Sequence, residues 1–511
     1  MYCSVLATLF VFLVYCTAAT GGSKFLLFPH PHVVSHQRLF YKVATDLMAK
    51  GHEVVVLRWP PAAGEFGAVT PPKGARVIEV HGTNSDPETR LWVHEEINRI
   101  LWKPDDSYLD YMEFMARAGL ASIAPCLELE KDYPHLMEEL RGSNFSLAIA
   151  DPWAYICSWL TANQLGIPYI TQASSIPIHF VDEGINAPTP FSYVPSIIDG
   201  QSDQMAFLYR IKNIFDHYIF STAAYWKLMA TILDWMAEWR SVNLRPLMAL
   251  YNSDLLFEFP KPRSTVYQYV GLRQRFTNPI EDEITSFTRD PASKGTIILS
   301  LTTVGNKELM SEEMKLRFLE VFKRLTDYRI IWRTMFTDEN LTTCCRHIRF
   351  TKWFNQTNLL AEPNTQLLIT HGGISTVMEA LRHGVPMLGM PMGIDHHADL
   401  ARVVSAGLGD RFMKYDRSPD VILRKIRRIL EDRSYKRRAQ RLAEMLDDEA
   451  ALLDNPQLWW TEFAARHSHQ TERLKSVSES EMSYFVYFGL DALSGVGALL
   501  ALTAALLSAR L

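Results

Sequence analysis

The sequence predicts an α/β protein built from two doubly wound domains, each with its own parallel sheet. Three observations support this fold class. Short apolar strands alternate with helical segments along most of the 511 residues. Single glycines separate several helices from the strands that follow, and polar residues gather where strands end. In folds of this class, ligands bind beyond the carboxyl ends of the strands, so those polar residues are the candidate site.

Two stretches in the first half carry the alternation most clearly. In KFLLFPHPHVVSHQRLFYKVATDLMAKGHEVVVL, the spacing predicts a strand over 24–28, a helix over about 35–50 and a strand over 53–57, with Gly51 ending the helix. FSLAIADPWAYICSWLTANQLGIPYITQA repeats this order. Later units begin at GTIILSLTTVG and at LLITHGGISTVMEALRHGVPMLGMPMGIDHH. Together they predict two sheets.

The composition is that of a globular chain and excludes a nucleic acid partner. The sequence is 48% hydrophobic and 21% charged, with a net charge of −5 at pH 7, so no overall basic field attracts nucleic acid. The richest basic run, 424–438, has helical spacing and is interpreted as the solvated face of a helix.

Both ends of the chain are apolar. Residues 1–22 resemble a cleaved secretory signal, with an apolar core over 5–14. Residues 485–508 are apolar over roughly the length of a membrane span and are followed by Arg510. We therefore expect a single-pass membrane protein whose body lies in the secretory lumen. A tail signal for a lipid anchor is an alternative for the second segment.

The remaining boundaries follow from changes in composition. We expect a first domain over 23–255, a linker over 256–293, a second domain over 294–455, a C-terminal helix and juxtamembrane segment over 456–484 and a short cytosolic tail over 509–511. Asn144, Asn340 and Asn355 begin sequons, which fit a lumenal body. The cysteines outside the signal leave one or two disulfides open without fixing the pairs: Cys126, Cys157, Cys344 and Cys345.

Residues 176–252 are mostly helical in pattern and rich in aromatic side chains. Two interpretations stay open for them. The helices pack on the first sheet, or they line a cleft for a lipophilic molecule and touch the membrane.

The stretch 367–397 holds the clearest chemistry. A strand over 367–370 ends at His371-Gly372-Gly373, a turn with little side-chain bulk whose backbone N–H groups can approach a ligand. The N-terminus of the helix that follows favours an anion. Ser375 and Thr376 add hydroxyl donors, so the turn fits a diphosphate. The structural alternative is a capping box formed by Thr376 and Glu379.

The run 351–399, TKWFNQTNLLAEPNTQLLITHGGISTVMEALRHGVPMLGMPMGIDHHAD, resembles the signature of the animal UDP-glycosyltransferases. These enzymes have the GT-B fold, in which two Rossmann-like domains face a cleft and a transmembrane helix follows. The resemblance covers nearly the whole chain. It includes SH at 35–36, ADP at 150–152, WW at 459–460 and YFGLD at 487–491.

The resemblance implies that residues 23–255 bind an acceptor and that residues 294–455 bind a UDP-sugar. It also implies the donor-binding residues: Trp353 to stack on uracil, Gln356 to bind the base, Glu379 for the ribose hydroxyls, His371, Gly373, Ser375, Thr376, Ser300 and Thr303 for the diphosphate, and Asp395 and His396 for the sugar hydroxyls.

The resemblance also implies the catalytic pair. His36 corresponds to the base that takes the proton of the acceptor hydroxyl, and Asp151 to the carboxylate that orients it. His30 and His32 are nearby competitors. The sequence has no D-x-D pair, so we expect a metal-independent, inverting transfer that gives a β-glycoside. No cofactor beyond the UDP-sugar is expected, and the helix dipole, N–H groups and His371 would offset the diphosphate charge.

Departures from the family pattern bear on the donor. His396 stands where glutamine is common and resembles galactose-using relatives, so glucose and galactose both stay open. Asp399 stands where asparagine is usual and argues against an anionic glucuronate.

The expected acceptor is a small lipophilic hydroxyl compound, and the expected location is the endoplasmic reticulum membrane, as a type I protein with a role in detoxification. Whether it forms a homo-oligomer is open. The alternative functions are a non-catalytic carrier of nucleotide sugar or lipophile and a structural protein with a vestigial site.

Overall fold

A computed structural model describes most of the chain between residues 22 and 508. The described ranges, apart from isolated residues between them, are 22–30, 33–59, 69–80, 87–103, 131–152, 156–175, 189–198, 200–217, 246–271, 282–301, 310–334, 345–393, 395–469 and 490–508. The predicted signal peptide, Thr303 and the sequon at Asn340 lie outside them.

The first sheet has seven strands, and all of its pairings are parallel. The strand order is β3-β2-β1-β4-β5-β6-β7. The strands are β1 (Lys24–Phe28), β2 (Glu53–Arg58), β3 (Arg76–Glu79), β4 (Leu147–Ala150), β5 (Tyr169–Ala173), β6 (Ala249–Tyr251) and β7 (Tyr267–Tyr269). The helices of this half are α1 (Val34–Ala49), α2 (Pro87–Trp102), α3 (Pro134–Arg141) and α4 (Ile156–Gln164).

The second sheet has six strands, also paired in parallel, in the order β10-β9-β8-β11-β12-β13. Its strands are β8 (Thr296–Ser300), β9 (Arg329–Arg333), β10 (Ile348–Thr351), β11 (Thr365–Thr370), β12 (Met387–Gly389) and β13 (Gly409–Arg411). The helices are α5 (Asp282–Thr288), α6 (Glu312–Lys323), α7 (Gln356–Ala361), α8 (Ile374–Arg382), α9 (His396–Ser405), α10 (Pro419–Glu431), α11 (Arg433–Leu452), α12 (Pro456–His467) and α13 (Leu490–Ser508).

The first βαβ unit shows why the sequence pattern works. Residues 25–28 of β1 are completely buried because helices cover both faces of a parallel sheet. Helix α1 turns Phe40, Val43 and Leu47 toward the core. Gly51, at φ 84°, follows the helix in a conformation that favours glycine. The predicted α/β class with two parallel sheets is confirmed.

The first sheet extends into the segment predicted as a linker. Strand β7 lies within residues 256–293 and pairs with β6. The sequence indicates a strand before Gly271, but three residues are too few for their spacing to show that the strand belongs to the first sheet. The structure therefore places the end of the first sheet beyond residue 255.

Residues 207–217 form a helix with an unusual distribution of side chains. Phe207, Ile211 and Phe215 are exposed, whereas Asn213 and Asp216 are buried. The Asn213 amide donates to the carbonyls of Phe191 and Val194, which explains its inward position. In this helix the apolar face is not packed on the sheet, contrary to the first of the two interpretations.

Two C-terminal helices have different surroundings. Helix α12 returns to the first domain, where Glu462 Oε1 lies 2.9 Å from His52 Nε2 and Gln457 donates to Gln172 at 2.9 Å. Helix α13 covers most of the segment predicted to cross a membrane. Within the described residues, however, no helix is long and apolar enough to do so.

Candidate active site

His36 and Asp151 meet at the carboxyl edge of the first sheet. His36 lies in the first turn of α1, and Asp151 directly follows β4, whose Ala150 is in register with Phe28 of β1. The imidazole Nδ1 lies 2.7 Å from Asp151 Oδ2, and Asp151 is 0% exposed. Because a carboxylate can only accept, Nδ1 carries the proton and Nε2 keeps its lone pair. This arrangement is that of an oriented general base.

The glycine turn after β11 has the shape required of an anion site. Gly372 has φ 94°, and a Cβ there would come within 2.6 Å of the Leu400 side chain. A Cβ on Gly373 would meet His371 Nε2 at 2.7 Å. Neither position accepts a side chain without displacing its neighbour, so both favour glycine, and the two residues before α8 add no side-chain bulk at its N-terminus.

The capping-box interpretation of Thr376 and Glu379 is wrong. Helix α8 begins at Ile374, and Gly373 is its N-cap, without a side-chain cap. Thr376 is therefore inside the first turn. The backbone N–H groups of the first turn of α8 have no partner within the helix and can therefore donate to a ligand. The positive end of the helix dipole favours an anion there.

Trp353, Gln356 and Glu379 form a group between β10 and α8. The Trp353 ring is 56% exposed, which leaves a surface for a flat base. Gln356 Nε2 donates to Glu379 Oε2 at 2.7 Å. The Oε1 atom of Gln356 is buried and has no hydrogen-bond partner among the described residues. Such an unsatisfied acceptor fits a donor group on a ligand.

Burial raises the pKa of Glu379, and hydrogen bonding from Gln356 and the charges of Arg333 and Arg38 oppose that rise. The sequence did not single out either arginine. Arg333 ends β9, and its guanidinium lies 5.9 Å from the centre of the Trp353 ring. Burial, followed by repulsion from Arg38, lowers the pKa of Arg333 to about 10. Its side chain thus stays cationic at neutral pH. An arginine that ends a buried apolar strand, RIIWR, is the signal that could have identified it.

His371 does not provide the positive charge expected at the diphosphate. Burial, together with the nearby charge of Arg333, lowers its pKa to about 3, and a hydrogen bond with the Ser300 backbone opposes that change. The ring is neutral at physiological pH and can only offer a hydrogen bond. Arg333 is the buried cation of this site instead.

His396 packs edge-on against His371, with 4.7 Å between ring centres. Burial holds the pKa of His396 well below its usual range. Within the described part of the chain, its Nδ1 is buried without a hydrogen-bond partner. This neutral imidazole can therefore meet one hydroxyl of a ligand.

Asp395 brings the two halves of the site together. Burial raises its pKa to about 6, and the charge of His36 on the first domain opposes that rise. The side chain predicted to hold the sugar thus lies near the predicted base. Ser300, at the end of β8, is in register with Thr370 beside the glycine turn. The structure gathers the predicted residues at facing sheet edges, except Thr303, which lies outside the described residues.

No group of three or more histidine, cysteine or acidic side chains able to hold a metal ion occurs in the described ranges.

Known proteins resemble this chain over most of its length. The family model of the UDP-glucuronosyl and UDP-glucosyl transferases matches residues 23–509. UDP-glucuronosyltransferase 2A2 of Mus musculus is 30% identical over 390 residues, which cover 73% of this chain and 70% of the relative. UDP-glucuronosyltransferase 2B7 of Homo sapiens is 25% identical over 502 residues, which cover 94% of this chain and 91% of the relative.

Solved structures show the same fold at low sequence identity. The calicheamicin glycosyltransferase CalG4 superposes with a TM-score of 0.57 at 15% identity, covering 84% of this chain and 98% of its own. Phytolacca americana UGT2 superposes with a TM-score of 0.57 at 14% identity, covering 87% and 98%. With its two parallel sheets and a family match over nearly its whole length, this chain belongs to the UDP-glucuronosyl and UDP-glucosyl transferase family and is a GT-B UDP-glycosyltransferase that transfers sugar from a UDP-sugar.

Proposed function

We propose that the protein transfers a neutral hexose, glucose or galactose, from its UDP-sugar to a hydroxyl of a small lipophilic acceptor, with inversion and without a metal ion. The observation that carries this proposal is the 2.7 Å contact between His36 and Asp151, next to Asp395 across the cleft. A base on one domain and a sugar-binding carboxylate on the other fit a direct displacement at the anomeric carbon.

The chemistry needs only this chain's side chains and backbone. His36 Nε2 takes the proton of the acceptor hydroxyl as its oxygen attacks the anomeric carbon. The bond from that carbon to the diphosphate oxygen breaks, and UDP leaves. The N–H groups of the first turn of α8 and the Arg333 cation stabilise the charge on the departing diphosphate. Attack opposite the leaving group converts an α-linked donor to a β-glycoside.

The proposed preference for a neutral sugar rests on Asp395, which is ionised at neutral pH because its pKa is about 6. Asp399 lies one helical turn later, and burial followed by repulsion from Asp395 raises its pKa well above the usual range. A donor carboxylate would bring a second negative charge beside Asp395 in this buried site and would be disfavoured.

The test is an assay of the purified full-length protein with UDP-glucose, UDP-galactose and UDP-glucuronic acid. A panel of phenols, steroids and ceramide serves as acceptors, and conjugates are followed by mass. We expect hexosides and little or no glucuronide. His396→Gln should change the ratio of glucoside to galactoside by up to about tenfold, because glutamine presents its donor and acceptor from one group. A glucuronide as the main product would contradict the proposal.

The second expected result is a weakening of UDP-hexose binding at low pH. An ionised Asp395 accepts stronger, charge-assisted hydrogen bonds from sugar hydroxyls than a protonated one, so the extra affinity of UDP-hexose over UDP should fall as the pH drops below about 6. UDP alone is the internal control, since it lacks the sugar. Asp395→Asn should remove this pH dependence, as measured by calorimetry from pH 5 to 8. A pH-independent difference between the two ligands would show that Asp395 does not hold the sugar.

The acceptor is proposed from the sequence and from related structures, and the location is proposed from the sequence. Phytolacca americana UGT2 is complexed with UDP-2fluoro-glucose and pterostilbene, and LpCGTa is complexed with UDP. The first of these supports a small apolar acceptor. An endoplasmic reticulum protein with a lumenal body and a C-terminal anchor should be protected from protease in intact microsomes. Loss of the whole body to protease would contradict that location.

A further inference from the structure

Two side chains of the first domain reach donor-binding residues of the second. Arg38, on the helix that carries His36, places its guanidinium carbon 5.0 Å from the centre of the Trp353 ring. Asn252, which follows β6, donates from Nδ2 to Ser375 Oγ at 3.1 Å. The sequence singled out neither residue.

Arg38 lies close to both predicted nucleoside contacts. The guanidinium stacks on Trp353, and the negative charge of Glu379 attracts it. A cation over an indole face restricts the ring, while more than half of the Trp353 surface stays exposed for a base. Arg38 thus holds Trp353 from the other domain and leaves room for uracil.

Asn252 acts on a hydroxyl at the start of α8. Its backbone N–H donates to the Ala173 carbonyl at 2.9 Å, which fixes it at the sheet edge, and its side chain is buried. Because the Ser375 oxygen accepts from the Asn252 amide, the Ser375 O–H must point elsewhere. Ser375 lies in the first turn of α8, so this O–H is available to a phosphate oxygen.

The two domains are closely packed near Asn252. A Cβ on Gly271 of the first domain would lie 3.0 Å from the end of the Met378 side chain on α8 and 2.6 Å from the Ser253 carbonyl. Arg402 on α9 donates to Glu258 at 2.7 Å, and both are buried. The contact of Asn252 with α8 is therefore part of a packed interface and is held in place.

We propose that the first domain completes the binding site for the UDP part of the donor, with Arg38 positioning Trp353 against the uracil and Asn252 positioning the Ser375 hydroxyl toward the diphosphate. The inference rests on the proposed donor site. It adds that nucleotide affinity depends on two side chains of the domain that is proposed to bind the acceptor.

The experiment measures the UDP dissociation constant of the full-length protein by calorimetry. Arg38→Ala should weaken UDP binding by about five- to tenfold, and Arg38→Lys should recover part of the loss because it keeps a cation. Asn252→Asp preserves the shape, removes the N–H donor and adds a negative charge beside the diphosphate. It should weaken binding by about tenfold or more.

A matched control is available on the first domain. Arg263 stacks on Tyr269 at 5.1 Å, and within the described residues it makes no contact with Trp353, Glu379 or Ser375. Arg263→Ala should leave UDP affinity unchanged. In transfer assays, Arg38→Ala and Asn252→Asp should raise the KM for the UDP-sugar with kcat little changed, which a general loss of structure would not produce. Thermal unfolding without ligand verifies that the variants are folded.

The outcomes separate this inference from the proposed function. Wild-type protein that binds UDP while both variants bind it equally well overturns the inference alone. Tighter UDP binding by Arg38→Ala also overturns it, since Arg38 would then occupy the place of the base. Wild-type protein that fails to bind UDP overturns the proposed function as well.

Discussion

Replacing His36 by alanine is expected to lower kcat by about 10²- to 10⁴-fold while UDP affinity stays the same. The imidazole is the one group of the described site that is both oriented by a buried carboxylate and placed near Asp395, which is proposed to bind the sugar. Without it, the acceptor hydroxyl must lose its proton to water. The substitution leaves the residues proposed to contact the donor unchanged. Single-turnover transfer and UDP calorimetry measure the two quantities separately.

His30 provides the comparison for this experiment. Its ring lies 5.3 Å from that of His36, at the same sheet edge, and the two are packed edge to face. His30→Ala should lose less than about tenfold in kcat, because the contact with Asp151 that orients the proposed base belongs to His36. If His36→Ala kept more than a tenth of the activity, or if His30→Ala lost as much, the assignment of the base would be wrong.

Replacing Asp151 by asparagine is expected to lower kcat by about 10³- to 10⁴-fold, with the fold and the donor affinity retained. Asp151 is fully buried, and the substitution conserves its size. The asparagine amide can donate to His36 Nδ1 and so favours the tautomer with a proton on Nε2. That tautomer has no lone pair for the acceptor proton. The measurement compares the loss of kcat in Asp151→Asn for two acceptors. The loss should be smaller with a phenol that is already ionised than with an alcohol, because the ionised phenol has no proton to give up.

The double variant distinguishes shared action from independent action. Since Asp151 works through His36, His36→Ala combined with Asp151→Asn should lose no more activity than His36→Ala alone. Multiplication of the two losses would mean that Asp151 has its own contact with the substrate. Equal thermal unfolding midpoints for the single and double variants exclude a loss of structure.

Much of the fold could be predicted from local patterns. The strand at 24–28 and the helix predicted over about 35–50 agree with the structure to within a residue or so, because continuous apolar runs and a 3.6-residue stripe are properties of the chain itself. The end of the first sheet was placed too early, because a strand of three residues does not show from its spacing which sheet it joins. The glycine turn at 371–373 was recognised because its lack of side chains is visible in the sequence.

The electrostatics of the site could not be predicted. The sequence suggested that His371 would offset the diphosphate charge, yet its burial beside Arg333 keeps it neutral. It allowed a capping box at Thr376, whereas the turn geometry puts Gly373 at the N-cap. Both outcomes depend on which atoms surround a group after folding, and spacing along the chain does not contain that information.

The sequence by itself determined the α/β class, the two sheets, the family and the residues that stand at the strand ends, since these depend on local periodicity and short motifs. Only the tertiary structure decided that Asp395 lies near His36 with a raised pKa, and that Arg38 and Asn252 reach the proposed donor residues. These contacts join residues far apart in the chain. They exist because parallel strands bring their carboxyl ends to one edge and because the two domains close face to face.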